Sequence, residues 1–192
     1  MYPQGQDGNR HRESERMSML QQVLDAREAR WKRRLSLAEE YRRTVVTLTL
    51  NIPGSEKARD IYVSAHAGIM ERFISFLKEK QLPLIHLESG VSADGPECIM
   101  VIDVPAMEMK KQCILFEDSH PLGRLIDSDV MDGDGNCKGR SDLGLPPRKC
   151  LICDEPAREC MVLRRHSKAE LIEKVDLMVS AFLDGSEDKR GP

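Results

Sequence analysis

The hydrophobic period of this chain switches repeatedly between residues 45 and 132, and that switching limits the fold to few architectures. Val45-Val46-Thr47-Leu48-Thr49-Leu50-Asn51 is β-branched and of strand length, and Ile52-Pro53-Gly54 stops it. From 58 to 80 apolar residues recur at helical spacing: Ile61, Ala65, Ile69, Phe73, Phe76 and Leu77. Pro83 opens a second strand over 84–88, and 89–96 reads as a turn region. Residues 98–104, apolar but for Asp103, form a third strand, and Pro105 suits the first turn of a helix running to about Phe116. A fourth strand follows over 122–132. The order β-α-β-β-α-β predicts an α+β fold of ferredoxin-like type, with an antiparallel four-stranded sheet and two helices on one face.

At 192 residues the chain supports one domain with a real core plus a small appendage. Residues 1–13 offer almost nothing to bury and are expected to be a disordered tail. A helix follows over 14–40, with apolar positions that include Leu20, Val23, Leu24, Trp31, Leu35 and Leu37, and a basic face of Arg27, Arg30, Arg33 and Arg34. The catalytic domain is expected to span 14–144 and to end in the tight turn Asp132-Gly133-Asp134-Gly135-Asn136. Leu145-Pro146-Pro147 is a stiff linker into a Cys-rich helical appendage over 145–185. There Ser167 and Glu170 form a capping box for a last helix that stops near Gly185, and 186–192 is a second expected tail.

No apolar run reaches the roughly 18 residues of a membrane span, and the polar start lacks the apolar stretch of an export signal. A cytoplasmic protein with reduced thiols and no membrane partner is expected. The net charge of -3 argues against general nucleic-acid binding. Its distribution is uneven: residues 97–134 hold nine acidic and three basic side chains, whereas 138–168 hold eight basic and four acidic ones. An acidic loop beside a basic segment suits a metal facing a polyphosphate, although solvated surface charge gives the same counts.

The strongest candidate site lies in His120-Pro121-Leu122-Gly123-Arg124-Leu125-Ile126-Asp127-Ser128-Asp129. Carboxylates at i and i+2 of a strand share a face, so Asp127 and Asp129 can reach one hard cation. Mg²⁺ held this way fills its remaining positions with water and substrate phosphates. Arg124 precedes the pair, and Arg140, Arg148 and Lys149 follow it, offering charged donors for phosphate oxygens. An EF-hand is excluded, because a loop starting at Asp132 has Cys137 where Gly is needed and Leu143 where Glu is needed. The chain has no P-loop, dinucleotide fingerprint or nucleophile elbow.

Four of the remaining residues suit a tetrahedral zinc site: Cys150, Cys153, Cys160 and His166. Such a Zn²⁺ would be a structural clip between the Pro146-Pro147 linker and the last helix. A redox Cys-x-x-Cys and plain buried thiols are the alternatives. Cys98 and Cys113 lie in apolar runs and read as core residues.

Taken in order, several blocks resemble the CitX family, the citrate lyase holo-acyl-carrier-protein synthases, also called apo-citrate lyase phosphoribosyl-dephospho-CoA transferases. They are Ala26-Arg27-Glu28-Ala29-Arg30, Asn51-Ile52-Pro53-Gly54 with Lys57, the His120 to Asp129 stretch, and Leu145-Pro146-Pro147-Arg148-Lys149-Cys150-Leu151-Ile152-Cys153 through His166-Ser167. The resemblance implies transfer of 2'-(5''-triphosphoribosyl)-3'-dephospho-CoA onto a serine of the apo citrate lyase acyl carrier protein, releasing diphosphate. It implies catalytic roles for Asp127, Asp129 and Arg124, with Mg²⁺ on the two aspartates. Lys57, His120, Arg140 and Arg148 would serve substrate binding, and Arg27 and Arg30 would meet the dephospho-CoA phosphates or the acidic carrier. Ser128 departs from the apolar residue usual between the aspartates, and Arg34 departs from an expected Gln. A non-catalytic, zinc-stabilised module that binds or assembles the carrier subunit is the alternative.

Overall fold

The computed structural model describes residues 7–187, with side chains over 18–185. In chain order the elements are α1 (Asp7–Tyr41), β1 (Thr44–Leu50), α2 (Asp60–Glu79), β2 (Leu84–Ser92), β3 (Gly95–Ile102), α3 (Ala106–Ser119), β4 (Ile126–Met131), β5 (Cys137–Lys138), α4 (Ala157–Leu163) and α5 (Lys168–Glu187). A single 3-10 turn, Ser141–Leu143, lies between β5 and α4. Among the described residues no helix is long and apolar enough to cross a membrane.

The class is α+β, as expected. The strands form one sheet in the order β2-β3-β1-β4-β5, and every neighbouring pair is antiparallel. From central β1, Val46, Leu48 and Leu50 point to one face, where they meet Ala65, Ile69 and Phe73 of α2 and Cys113 and Phe116 of α3. Val45 points to the other face, beneath Leu37 and Ala38 of α1 and beside Val101 and Met131. Both faces of β1 are covered, so six of its seven residues are buried, Thr44 and Thr47 among them.

Three boundaries differ from the sequence reading. The segment 89–96 is mostly paired strand, because β2 and β3 run on into a hairpin whose loop is only Ala93-Asp94. Ser89, Gly90 and Ser92 look like turn residues, yet pairing with β3 outweighs their weak strand preference. Residues 122–125 form a turn rather than strand, so β4 begins at Ile126, and β5 adds a short fifth strand. At two residues, β5 is too short to leave a periodic signature.

The ends differ as well. α1 starts at Asp7, so residues 7–13 continue the helix instead of belonging to a tail, as propagation from an established helix allows. α5 runs past Gly185 to Glu187, and the other parts of the expected tails, 1–6 and 188–192, lie outside the described residues. Val175, Val179 and Phe182 of α5 belong to the main core cluster, so this helix is built into the core rather than added to its surface. Asp176 secures it, accepting hydrogen bonds from Tyr62 (2.6 Å) and Arg59 (2.9 Å).

α1 docks with the side that carries its arginines together with Val23, Leu37 and Ala38, all three buried. Leu20, Leu24, Trp31 and Leu35 remain exposed. The arginine face turns to the sheet instead, with Arg30 on Asp94 and Glu97, Arg33 on Glu88, and Arg34 on Asp129. Ion pairs this shielded add little net stability, but breaking one side strands a charge, so they fix where the helix sits.

The turn before β4 depends on one glycine. A Cβ at Gly123 would lie 1.6 Å from the carbonyl oxygen of Glu117, in the last part of α3. Gly123→Ala is therefore expected to cost about 3 kcal/mol or more, since backbone must move to admit the methyl. Urea unfolding checks this, and an unchanged midpoint would mean that the turn shifts freely.

Candidate functional site

β4 alternates its side chains across the sheet. Asp127 and Asp129 face α1, while Ser128 faces the core between the sheet and α3, fully buried. The two carboxylates remain open to solvent, with 50% and 58% of their side-chain surfaces exposed. Burial of its surroundings and the neighbouring charge of Asp129 both push the Asp127 carboxyl upward. Two hard oxygen donors that repel each other and reach solvent suit a divalent cation. Arg148 lies 3.6 Å from Asp127, and Arg34 lies 3.2 Å from Asp129.

Arg34, the expected glutamine, is thus a member of the site. It is buried, stacks over Trp31 at 5.4 Å, and its Nε has no partner. Thr47, directly across from Asp129 on β1, is also buried with an unpartnered Oγ1. Two orphaned polar atoms beside one carboxylate make this a place that can accept a further polar group.

Glu117 of α3 organises the other side of β4, and no motif announced it. Its carboxylate accepts from both the backbone N–H and the hydroxyl of Ser128, and it holds Arg148 at 2.7 Å and Arg140 at 3.8 Å. Lys110 donates to the Ser128 carbonyl at 2.7 Å, and Arg148 to that of Ile126 at 2.7 Å. These side chains satisfy the edge of β4 that β5 does not cover. Ser128 accordingly makes a buried hydrogen bond that an apolar residue could not, and it helps to seat the arginine that faces Asp127.

Arg27, Arg30 and Lys57 are brought together, but on acidic residues of the hairpin rather than on the aspartate pair. Asp94 receives Arg27 (2.9 Å), Arg30 (2.7 Å) and Lys57 (2.7 Å), and Glu97 receives Arg30 at 2.5 Å. Burial opposes ionisation of Asp94, but the three cations outweigh it and hold its carboxyl well below the usual range. In this arrangement the three expected substrate-binding cations anchor α1 and the loop before α2. Gly95 makes the approach possible: at φ 102° its missing Cβ leaves room for the Lys57 carbonyl.

His120 points into the core, between Phe116 and Phe182 at 5.3 and 5.2 Å, and its Nδ1 accepts the Leu122 N–H at 3.0 Å. Burial, helped by the charge of Arg72, lowers it to about 4, so it is neutral at pH 7; its Nδ1 braces the turn, and its buried Nε2 has no partner. Arg124, at the end of that turn, is exposed and has no acidic partner among the described residues. Partial burial and the nearby Arg148 depress its pKa, as expected where guanidinium groups crowd without carboxylates.

Cys150, Cys153, Cys160 and His166 converge as their spacing predicts: their ligand atoms all lie within 4.8 Å of one another. Cys153 Sγ is 3.4 Å from Cys160 Sγ and 3.3 Å from His166 Nε2. The cluster is a set that could hold a metal ion. Burial works against a Cys150 thiolate, but backbone N–H groups of Ile152 and Cys153 outweigh it and bring the thiol down to about 7. By contrast burial pushes Cys98 and Cys113 up to about 12, so they are inert core thiols. The capping box is also present: Glu170 accepts the Ser167 N–H at 2.7 Å, and Ser167 Oγ accepts the Glu170 N–H at 3.2 Å.

An antiparallel α+β protein with a carboxylate pair, flanking guanidinium groups and a Cys₃His cluster has the parts for metal-assisted chemistry on phosphates. The family model described as apo-citrate lyase phosphoribosyl-dephospho-CoA transferase matches residues 18–182. A Vibrio cholerae serotype O1 (strain M66-2) protein called a probable apo-citrate lyase phosphoribosyl-dephospho-CoA transferase is 31% identical over 164 residues, which is 85% of this chain and 92% of that protein. A Streptococcus pyogenes serotype M18 protein of the same description is 30% identical over 181 residues, covering 90% of this chain and 93% of that one. An Escherichia coli O1:K1 / APEC protein called apo-citrate lyase phosphoribosyl-dephospho-CoA transferase is 32% identical over 166 residues, or 84% and 88% of the two chains. The chain belongs to the apo-citrate lyase phosphoribosyl-dephospho-CoA transferase family.

Proposed function

We propose that this protein transfers 2'-(5''-triphosphoribosyl)-3'-dephospho-CoA to a serine of the apo citrate lyase acyl carrier protein and releases diphosphate. One observation carries the reading: a chain matched to this family over residues 18–182 holds two solvent-open carboxylates on one strand, with Arg148 3.6 Å from the first. The carrier serine oxygen forms a bond to the α-phosphorus as the bond from that phosphorus to the bridging oxygen breaks, and diphosphate departs with the electron pair. Asp127, whose carboxyl is pushed upward by burial and by its neighbour, orients the serine hydroxyl and takes its proton. Arg148 and Arg124 hold phosphate oxygens in line, and positioning with charge stabilisation supplies most of the rate. Mg²⁺ on Asp127 and Asp129 would neutralise charge on the departing diphosphate.

The Cys₃His cluster fits a structural Zn²⁺, since thiolates and an imidazole form a closed, soft donor set. Such a site needs reduced thiols, which accords with a cytoplasmic setting. The β1-α2-β2-β3-α3-β4 order, with β4-β1-β3-β2 as antiparallel neighbours, supports a ferredoxin-like core carrying the Cys-rich segment. No observation favours a non-catalytic assembly module.

The direct experiment combines the protein with apo carrier, the triphosphoribosyl precursor and Mg²⁺, then weighs the carrier. A carrier heavier by one phosphoribosyl-dephospho-CoA group is the expected product, and a carrier of unchanged mass sinks the proposal.

A further inference from the structure

A cavity of about 870 Å³ opens between the Asn51-Pro53 end of β1, the Arg124 turn, the Cys150 segment, α4 and the start of α5. Its volume lies within the roughly 300–1,000 Å³ typical of small-molecule sites. Six cationic side chains line it, Arg124, Arg148, Lys149, Arg158, Arg164 and Lys168, and no carboxylate does. Elsewhere in the molecule the cations near the sheet are neutralised in place: Arg27, Arg30 and Lys57 on Asp94, Arg33 on Glu88, Arg59 on Asp176. Around the cavity, Arg124, Arg158, Arg164 and Lys168 have no acidic partner among the described residues. A cleft lined by one sign of charge concentrates ligands of the other sign.

One further feature points to an organic polyanion rather than a bare ion: Pro53, Leu125, Leu151, Met161 and Leu171 give the cavity apolar walls, suited to the body of a nucleotide-like molecule. The cavity also leads to the chemistry, because Arg148 both lines it and stands 3.6 Å from Asp127.

We propose that this cavity is the donor site, in which the triphosphate of the precursor lies against Arg124, Arg158, Arg164 and Lys168 while the apolar walls take its dephospho-CoA part. Arg148 then spans the boundary between the bound triphosphate and Asp127. The proposal rests on the transferase reading for the identity of the donor, and it gives the Cys-rich segment a second task. Cys150, Cys160 and His166 line the same cavity, so the cluster that ties the chain together also shapes the wall of the donor site.

The test uses the full chain and the double variant Arg164→Glu/Lys168→Glu, both positions being exposed and therefore safe for folding. A charge-matched control, Lys32→Glu/Lys78→Glu, changes two exposed positions on α1 and α2 that do not line the cavity. Calorimetric titration with inorganic tripolyphosphate, without magnesium or carrier, should show affinity falling about 30-fold or more in the cavity variant and little in the control. In the transfer assay the KM for the precursor should rise by a similar factor with kcat nearly kept, since the lost contacts act on ground state and transition state alike. Unchanged tripolyphosphate affinity and unchanged KM would overturn the donor site while leaving transfer itself intact. Equal weakening in the control would also overturn it, by tracing the effect to bulk charge. A wild-type protein that makes no carrier adduct would remove the transferase reading instead, and the tripolyphosphate titration still decides the cavity.

Discussion

Replacing Asp127 by Asn is expected to lower transfer by about 10²–10³-fold or more, with the fold left in place. The substitution keeps the shape of the side chain but removes one of two hard oxygen donors and the proposed acceptor of the serine proton. Because half of the side chain is exposed and its partner Arg148 keeps Glu117 at 2.7 Å, little stability should be lost. Asp129 is a poorer choice for this purpose. Its removal would leave buried Arg34, whose Nε already lacks a partner, without its carboxylate, and would mix a folding defect into the rate. The initial rate of carrier mass gain, measured beside the urea midpoint, separates the two effects. An Asp127→Asn protein that works within about threefold of wild type would take this residue out of the chemistry.

The second large effect concerns the Cys₃His cluster. Purified protein is expected to carry one Zn²⁺ per chain, and Cys153→Ser to lose it, because Cys153 Sγ contacts both Cys160 and His166. With the metal goes the tie between the 150–153 knuckle and the segment around α4, which has few buried residues of its own: among its helical positions only Cys160 is buried. Structural zinc contributes several kcal/mol to folding, so the melting temperature should drop by about 10 °C or more at roughly 2–4 °C per kcal/mol. Metal analysis with thermal melts, before and after a chelator, reads the outcome. A folded wild-type protein that contains no zinc and ignores the chelator would defeat the assignment and leave ordinary thiols in its place.

Where sequence reasoning succeeded, the physics was local. Val45 to Leu50 forms a strand because β-branched residues favour one, and Ser167 with Glu170 starts a helix because their side chains reach the N–H groups that the first turn leaves free. Asp127 and Asp129 share a face because strand side chains alternate. The Cys₃His set converges because its members lie in the two short loops on either side of one short helix and on that helix itself.

Where it fell short, the deciding contacts were remote. Arg27, Arg30 and Lys57 looked free to bind phosphates, but Asp94 and Glu97 claim them from a hairpin far along the chain, Arg30 and Glu97 being 67 positions apart. His120, a substrate-binding residue only by family resemblance, sits between two aromatic rings that α3 and α5 bring together. Glu117 carried no signal, since a single acidic residue in a helix is ordinary until β4 and Arg148 pack against it. Only part of the apolar set of α1 is buried, because the carboxylates beneath the helix select the side that carries its arginines with Val23 and Leu37.

The sequence by itself determined the class of fold, the succession of elements, the aspartate pair, the Cys₃His cluster and the family. Those follow from backbone sterics, side-chain period and short spacings, which a linear chain already contains. Only the tertiary structure decided which cations are spent on internal carboxylates and which line the cavity beside Asp127. That choice depends on which charges folding brings within a few ångströms of one another, and spacing along the chain holds no record of it.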